Sequence, residues 1–508
     1  MPHAQHLLRS SLLVILIYGL SKVTGLIKLF LLTGRFGTGP DADAFTAAAQ
    51  LPELLTAMLA GGALAAALIP VYSFHRMKQD LTGADELAST IFTLTWMVMG
   101  SICLLAGLFA PWLVRVLLLP DAQPSQQILT AELMRIVLLS TLLIAISGVM
   151  TSLLHARQRF LPPAWATVAI DVGQIIGLAF FTPSLGIHGA AWGSVLGGVM
   201  LVGVQIPAYR AEGLPFRLGL KWRLASVRET LRLMGPRVVT MGSYQAADLV
   251  FIRLASGLAN GVISAYFYAN LAMVGMPRSL FAQAVANVIF PTLAEHHNQG
   301  EAARLRQVLT QGLRVVWALV IPAALGLLVL GEAAVAFIFE RGSFGPESTR
   351  MVYGLMLILS IRLLADSSQD VLALLFYAKH NTRTPMIISL LWMGINVGLS
   401  LWLVQPFGGS GLAWAASLSA LSAALLFYFL GRILARGIDE AMLARTLAQI
   451  GLACGVMVTF VLLLRQLSLP QIPFLLLGGL GGGALYLGMM FHFNREEIHQ
   501  MIKQVRNR

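Results

Sequence analysis

The chain has 508 residues, 57% of them hydrophobic and only 11% charged, with a mean hydropathy of +0.77. A soluble domain carries about a quarter charged residues, so this composition cannot clothe a water-facing surface, and a soluble multidomain enzyme is excluded. The formal net charge of +12 would suggest nucleic acid in a soluble protein, but its placement in short loops fits membrane orientation instead, and no nucleic-acid partner is expected.

Leu- and Ala-rich runs of roughly 20 residues, the length a helix needs to cross ~30 Å of hydrocarbon, recur from end to end. Fourteen transmembrane helices are predicted, at 11–34, 45–74, 88–110, 131–154, 163–182, 188–208, 234–257, 262–292, 313–339, 352–377, 385–404, 410–431, 443–464 and 473–492. The first follows Arg9 and has no small-residue cleavage site behind it, so it reads as a retained helix and not a signal peptide. Gly, Pro and acidic or amide residues punctuate the rest, as at 37–43, 120–127 and 405–411. Cys103 and Cys454 lie inside apolar runs, which argues against a disulfide framework; no metal spacing is present and no metal site is expected.

Loop charges orient the spans. With a cytoplasmic N-terminus, the cytoplasmic loops collect Arg76, Lys78, Arg157, Arg159, the basic segment 209–232, Arg304, Arg306, Lys379, Arg383, Arg432, Arg436 and Arg445, and the tail adds Arg495, Lys503, Arg506 and Arg508. The opposite loops hold only Arg35, Arg115, Arg341, Arg350 and Arg465. This is a strong positive-inside pattern, and both termini are expected in the cytoplasm. Segment 209–232 reads either as a topology anchor and linker or, less simply, as an amphipathic helix lying on anionic lipid.

The two halves repeat. Ala156 matches Ala378, Pro163 matches Pro385, Gly186 matches Gly408, Gly189 matches Gly411 and Trp192 matches Trp414, all at an offset of 222 residues. Six spans per unit is an even number, so the second half enters with the same orientation as the first, a parallel repeat as in two-lobed transporters. The expected architecture is an all-α polytopic membrane protein with two pseudo-symmetric six-helix lobes, 1–212 and 213–436, around a central cavity. Region 437–508 adds two extra C-terminal helices and a basic tail.

Charges inside spans are costly and therefore informative. Span one carries Lys22 and Lys28, span two Glu53, span five Asp171, and span seven Arg237, Asp248 and Arg253; Arg278 lies in span eight, Arg314 in nine, and Arg362, Asp366 and Asp370 in ten. Lys22 and Lys28, six residues apart, sit about 240° apart on an ideal helix, and a bend near Thr24 and Gly25 would let both reach one cavity. There their ammonium groups would hold a phosphate or pyrophosphate; the bland alternative is snorkelling to the interface. Arg278 reads equally as a second cationic contact or as an interhelical ion pair. Arg362 and Asp366, spaced i,i+4, are expected to pair. Glu53 can neutralise a lysine, and Asp248 is a weak candidate for a coupling cation. Small residues at Gly61-Gly62-Ala63, Gly478-Gly479 and Gly481–Gly483 suggest close helix packing. No P-loop is present, so ATP is not expected to drive the cycle; no cofactor is expected, and coupling to membrane potential, Na⁺ or H⁺ is left open.

The stretch Ser21-Lys22-Val23-Thr24-Gly25-Leu26-Ile27-Lys28, followed by Asp43-Ala44-Phe45, Leu51-Pro52-Glu53-Leu54-Leu55, Gly62-Ala63-Leu64 and Ala67-Leu68-Ile69-Pro70, resembles the MurJ/MviN family of lipid II flippases. That family belongs to the multidrug/oligosaccharidyl-lipid/polysaccharide exporter superfamily. Ser264, Tyr268-Ala269-Asn270 and Phe290-Pro291 look like its second-lobe counterpart. The resemblance implies translocation of undecaprenyl-pyrophosphate-linked peptidoglycan precursor across the bacterial cytoplasmic (inner) membrane, with that lipid, membrane lipid and other cell-wall synthesis proteins as partners. It carries the family's span-one arginines onto Lys22 and Lys28 and its loop aspartate onto Asp43. The chain departs from the pattern in several places. Both arginines are lysines, which lose bidentate phosphate geometry. The span-two arginine falls on Ala57, the acidic residue before the Gly-Ala motif on Gly61, and the span-eight arginine near Leu271, seven residues before Arg278. The span-seven aspartate falls near Phe251. The rival readings are a flippase for another polyprenyl-linked saccharide, a cation-coupled drug exporter and a membrane glycosyltransferase.

Overall fold

The computed structural model describes residues 2–59, 62–215, 217–379, 381–435, 437–467 and 469–495. Gly61, Arg436, Lys503, Arg506 and Arg508 lie outside them. The described residues are helical nearly throughout and contain no strand. In chain order the helices are α1 (Pro2–Phe36), α2 (Pro40–Leu59), α3 (Gly62–Met77), α4 (Leu81–Leu108) and α5 (Pro124–Ala156), then α6 (Leu161–Leu185), α7 (Ile187–Ala211) and α8 (Ala225–Ala255). They continue with α9 (262–298), α10 (Ala302–Phe339), α11 (Pro346–Ala378), α12 (Arg383–Leu434), α13 (Glu440–Gln466) and α14 (Gln471–Phe493).

Ten helices among the described residues are long and apolar enough to cross a membrane, and α12 is two helices joined across a kink at Gly408. Outside this apolar set are α2 with α3, α8 and α9, the segments of spans two, seven and eight that carry Glu53, Asp248 and Arg278. The protein is an all-α, multi-pass membrane protein, and the fourteen spans read from sequence are consistent with this arrangement.

The internal repeat extends to backbone conformation. Gly186, at the entry to α7, has φ 57°, ψ −140°, and its match Gly408 has φ 54°, ψ −131°. Only glycine adopts this region without strain. Three residues later, a Cβ on Gly189 would strike the backbone of Phe181 and Thr182, and one on Gly411 would strike that of Leu403. Phe181 and Leu403 are themselves 222 apart. Each hairpin therefore reverses through one positive-φ glycine and closes on a second that leaves room for the returning chain.

Contacts divide the chain into two compact units, one of Met1–Ser264 with Arg341–Phe344, the other of Ala265–Glu340 with Gly345–Arg508. Helix α8 packs on α2 and α3 in the first unit, although it follows residue 213, where the sequence repeat begins again. Sequence duplication and spatial contact thus divide the chain on different grounds. The core of the first unit gathers Leu68, Tyr72, Leu87, Met150, Leu153, Tyr209 and Val227 from α3, α4, α5, α7 and α8. Among the described residues of the basic segment, 214–215 and 217–224 are not helical. Thr93 accepts from the Gly219 amide at 3.0 Å, Thr90 from the Lys221 amide at 3.3 Å, and the Lys221 ammonium pairs with Glu86. The described part of this segment is tied to α4 by these contacts, and helix resumes at Ala225 with α8.

In the second unit, α13 and α14 lie on α10. Ile450, Cys454, Met457 and Tyr486 pack against Trp317, Ile321 and Leu325, and the Tyr486 hydroxyl donates to the Ala318 carbonyl at 2.6 Å. Of the glycines near the end of the chain, Gly478, Gly481 and Gly482 pack closely, a Cβ on them pressing on Leu330, Phe460 or Met457, whereas Gly479 and Gly483 have open space and do not serve close packing.

Candidate functional site

Helix α1 presents Ser21, Thr24 and Lys28 on one face by their i, i+3, i+7 spacing. That face meets α6, where Asp171 is 8% exposed. The Lys28 Nζ lies 2.8 Å from Asp171 Oδ1; the Thr24 hydroxyl is shared between Oδ2 at 3.2 Å and the Ser21 carbonyl at 3.0 Å, and the Ser21 hydroxyl between the same Oδ2 and the Thr167 carbonyl, each at 3.4 Å. One carboxylate thus gathers three groups of α1. The Lys28 side chain keeps 35% of its surface exposed. An ammonium has three donors, and Asp171 is the one hydrogen-bond partner described for it.

The backbone carrying Asp171 is held from the other side by glycine. Gly173 and Gly177 of α6 face Gly197 and Gly193 of α7 so closely that a Cβ on any of the four would meet the opposing backbone. The i, i+4 spacing of Gly189, Gly193 and Gly197 makes a groove along α7, the small-residue packing of membrane helices. The sequence reading placed such packing at other glycines and missed this seam, although the four-residue spacing was there to be counted.

Helix α1 runs unbroken through Gly25, so Lys22 and Lys28 keep the separation of an ideal helix. Lys22 is exposed and has no ion pair among the described residues. Glu53, on α2, is also exposed and lies within electrostatic reach of Lys28 and Asp248. Asp248 is half-buried on α8. Lys28, Glu53 and Asp248 therefore share one electrostatic neighbourhood in the first unit.

Asp43 is differently engaged. At 2% exposure its carboxylate accepts from the Gly261 amide at 2.6 Å, the Ser264 amide at 2.8 Å and the Ser264 hydroxyl at 2.7 Å. It caps the N-terminus of α9 from a distant point in the chain, satisfying amides that a helix start leaves open.

Arg278 makes an interhelical ion pair, one of its two expected roles. It opens a π-helical turn, 278–282, directly after Pro277, in a helix already loosened by another at 271–275. Proline removes a backbone donor and π turns accompany such breaks. Its guanidinium grips Asp370 with Nε to Oδ2 at 2.8 Å and Nη2 to Oδ1 at 2.7 Å, and Nη1 reaches Asp366 at 3.3 Å. Arg362 joins Asp366 at 3.3 Å, as its i,i+4 spacing predicts, and donates to the Tyr266 hydroxyl at 3.1 Å. Two arginines thus balance two aspartates. The sequence reading had all four residues but did not link Arg278 to span ten.

A cavity of about 250 Å³ in the second unit is lined by Glu332, Glu340, Arg350, Arg465 and Phe474 among others, and includes none of the residues nominated from sequence. No group of His, Cys, Asp and Glu among the described residues is arranged to hold a metal ion.

The family described as "Lipid II flippase MurJ" matches residues 33–479. A protein named "Probable lipid II flippase MurJ" from Bdellovibrio bacteriovorus is 28% identical over 445 residues, covering 86% of this chain and 84% of its own. One named "Lipid II flippase MurJ" from Burkholderia cenocepacia is 28% identical over 421 residues, with 80% of each chain covered. Among solved structures, one titled "Lipid II flippase MurJ, inward closed conformation" superposes with a TM-score of 0.82 at 21% identity, covering 96% of this chain and all of that one. An inward-facing multidrug MATE transporter superposes with a TM-score of 0.67 at 16% identity, covering 83% of this chain and 95% of that one.

Proposed function

Because this chain belongs to the MurJ family of lipid II flippases and is itself such a flippase, we propose that the span-one lysine Lys28 makes its contact with the substrate's diphosphate, with Lys22 adding positive charge from another face of the same helix. Lipid II is carried from the inner to the outer leaflet by alternating access, with the headgroup sheltered while the polyprenyl tail stays in lipid. A bare diphosphate cannot cross ~30 Å of hydrocarbon, because stripping water from an unpaired ion costs far more than thermal energy. Cations inside the membrane supply the missing partner.

The observation that carries this reading is the Lys28 ammonium. It sits at 35% side-chain exposure with donors to spare, on a helix whose other lysine, Lys22, is exposed as well. Lysine holds phosphate as a point charge without the two-pronged geometry of arginine, which suits a cargo that must be let go. Glu53 limits the local positive charge. The Lys/Arg distribution favours the bacterial inner membrane with both termini in the cytoplasm. In that orientation an anionic headgroup moving outward runs down an inside-negative potential, which is worth about 2.3 kcal/mol per charge per 100 mV. Membrane potential is therefore the energy source we favour over Na⁺ coupling at Asp248.

Replacing both lysines, Lys22→Ala with Lys28→Ala, is expected to abolish rescue of a flippase-depleted strain while membrane expression stays normal. Full rescue by the double variant refutes the proposed site.

A further inference from the structure

We propose that Asp171 is a positioning residue of the transport cycle, a carboxylate that competes with the diphosphate for Lys28 and so lets the cargo leave. The inference rests on the reading that Lys28 contacts the diphosphate.

Asp171 is 8% exposed, and its two oxygens are divided between different tasks. Oδ2 receives the Thr24 and Ser21 hydroxyls at 3.2 and 3.4 Å, while Oδ1 is given to Lys28 at 2.8 Å. The hydroxyl side anchors and orients the carboxylate. The ammonium side is the exchangeable one, because Lys28 remains 35% exposed on a flexible four-carbon stem and Asp171 does not. The α6 backbone beneath Asp171 cannot drift with the lysine, since Gly173 and Gly177 lie against the α7 backbone.

Consider Lys28 without this partner. A lysine in the membrane stripped of its hydrogen-bonded carboxylate, with only Glu53 beyond ion-pair distance to offset it, binds an incoming anion more strongly and gives it up more slowly. With Asp171 in place, the diphosphate draws the ammonium away from a carboxylate that stands ready to take it back. Affinity is lowered and release is hastened by the same interaction. Simple neutralisation of a half-buried lysine would need only a carboxylate in range; here two hydroxyls of the lysine's own helix also lie within reach of the second oxygen, each shared with a backbone carbonyl.

The test uses the full-length protein in proteoliposomes with lipid II at varied membrane content, reading apparent KM and kcat. Asp171→Asn keeps size and the hydroxyl contacts but removes the charge. It is expected to lower KM roughly fivefold, equivalent to about 1 kcal/mol, and to lower kcat as release slows. Lys28→Met is expected to raise KM, and in that background Asp171→Asn should change nothing further, because the two act through one contact. Asp171→Glu should restore near wild-type values. Ser21→Ala with Thr24→Val, which leaves the ion pair but frees the carboxylate, should move KM in the Asp171→Asn direction by a smaller factor, and serves if Asp171→Asn does not reach the membrane.

An Asp171→Asn protein with raised or unchanged KM, while Lys28→Met raises KM, overturns the role of Asp171 and leaves the diphosphate site standing. An Asp171→Asn effect that persists in full without Lys28 also overturns it, as a purely structural role would give that result. A wild-type KM in Lys28→Met defeats the underlying site and this inference together.

Discussion

Each unit of the molecule holds one cluster of charges inside its helices, and the two clusters treat their cations in opposite ways. In the first unit Lys28 is hydrogen-bonded to one carboxylate and leaves a third of its side chain exposed. In the second, Arg278 places three donors on Asp370 and Asp366, and Arg362 divides its own between Asp366 and Tyr266. A charge in a membrane span always needs a partner, so pairing alone does not separate scaffold from machinery. The separating feature is saturation. A bidentate guanidinium in a balanced set of four has little left for a ligand, whereas a lysine with one partner and spare donors can take a second anion.

This contrast is open to direct challenge. The largest effect is expected from unbalancing the saturated cluster. Arg278→Ala leaves Asp370, 18% exposed at its side chain, without its grip. Breaking a fully buried pair costs 3–5 kcal/mol, and the 31% exposure of Arg278 discounts this to about 2 kcal/mol. The thermal unfolding midpoint of the detergent-solubilised protein should fall accordingly, and Arg278→Met with Asp370→Leu should recover most of the loss together with translocation. A double variant that is stable but does not translocate would break the contrast and return Arg278 to the cargo site.

A middle-sized effect is expected from the glycine seam behind Asp171. Gly193→Ala sets a methyl group 2.8 Å from the Gly177 Cα and should cost about 1 kcal/mol of overpacking. Because the seam holds the helix that carries Asp171, kcat should fall as well, whereas Gly455→Ala, at a position with open space around it, should alter neither the midpoint nor kcat. Equal behaviour of the two variants would show that the seam does not support the site. The smallest change is expected from Lys28→Arg, which preserves the charge and the Asp171 pair; apparent KM should move by roughly twofold or less. A loss as deep as that of Lys28→Ala would mean that the compact shape of the ammonium, beyond its charge, is required.

Much of this was legible along the chain. Length and apolarity marked the spans, because crossing hydrocarbon leaves a helix little freedom of composition. The matched Gly186 and Gly408 announced the repeat, since a positive φ with this ψ admits essentially glycine alone. Arg362 and Asp366 were readable as a pair because both partners lie one turn apart on the same helix. Other partnerships were not readable. Asp171 stood out as a lone acid in span five, yet nothing along the chain said that it faces Lys28, 143 positions earlier. Asp43 resembled a binding residue by motif, and its service as a cap for α9, 218 positions later at Gly261, is a product of folding.

The amino-acid sequence by itself determined that this is a duplicated, multi-pass helical protein with cations inside its membrane spans, because helix length, hydropathy and glycine conformation are local properties. The tertiary structure alone decided which cation is saturated and which is left able to bind. That depends on the rotation of α1 against α6 and of α9 against α11, and rotation is set by side-chain packing between helices far apart in the chain, which no single span encodes.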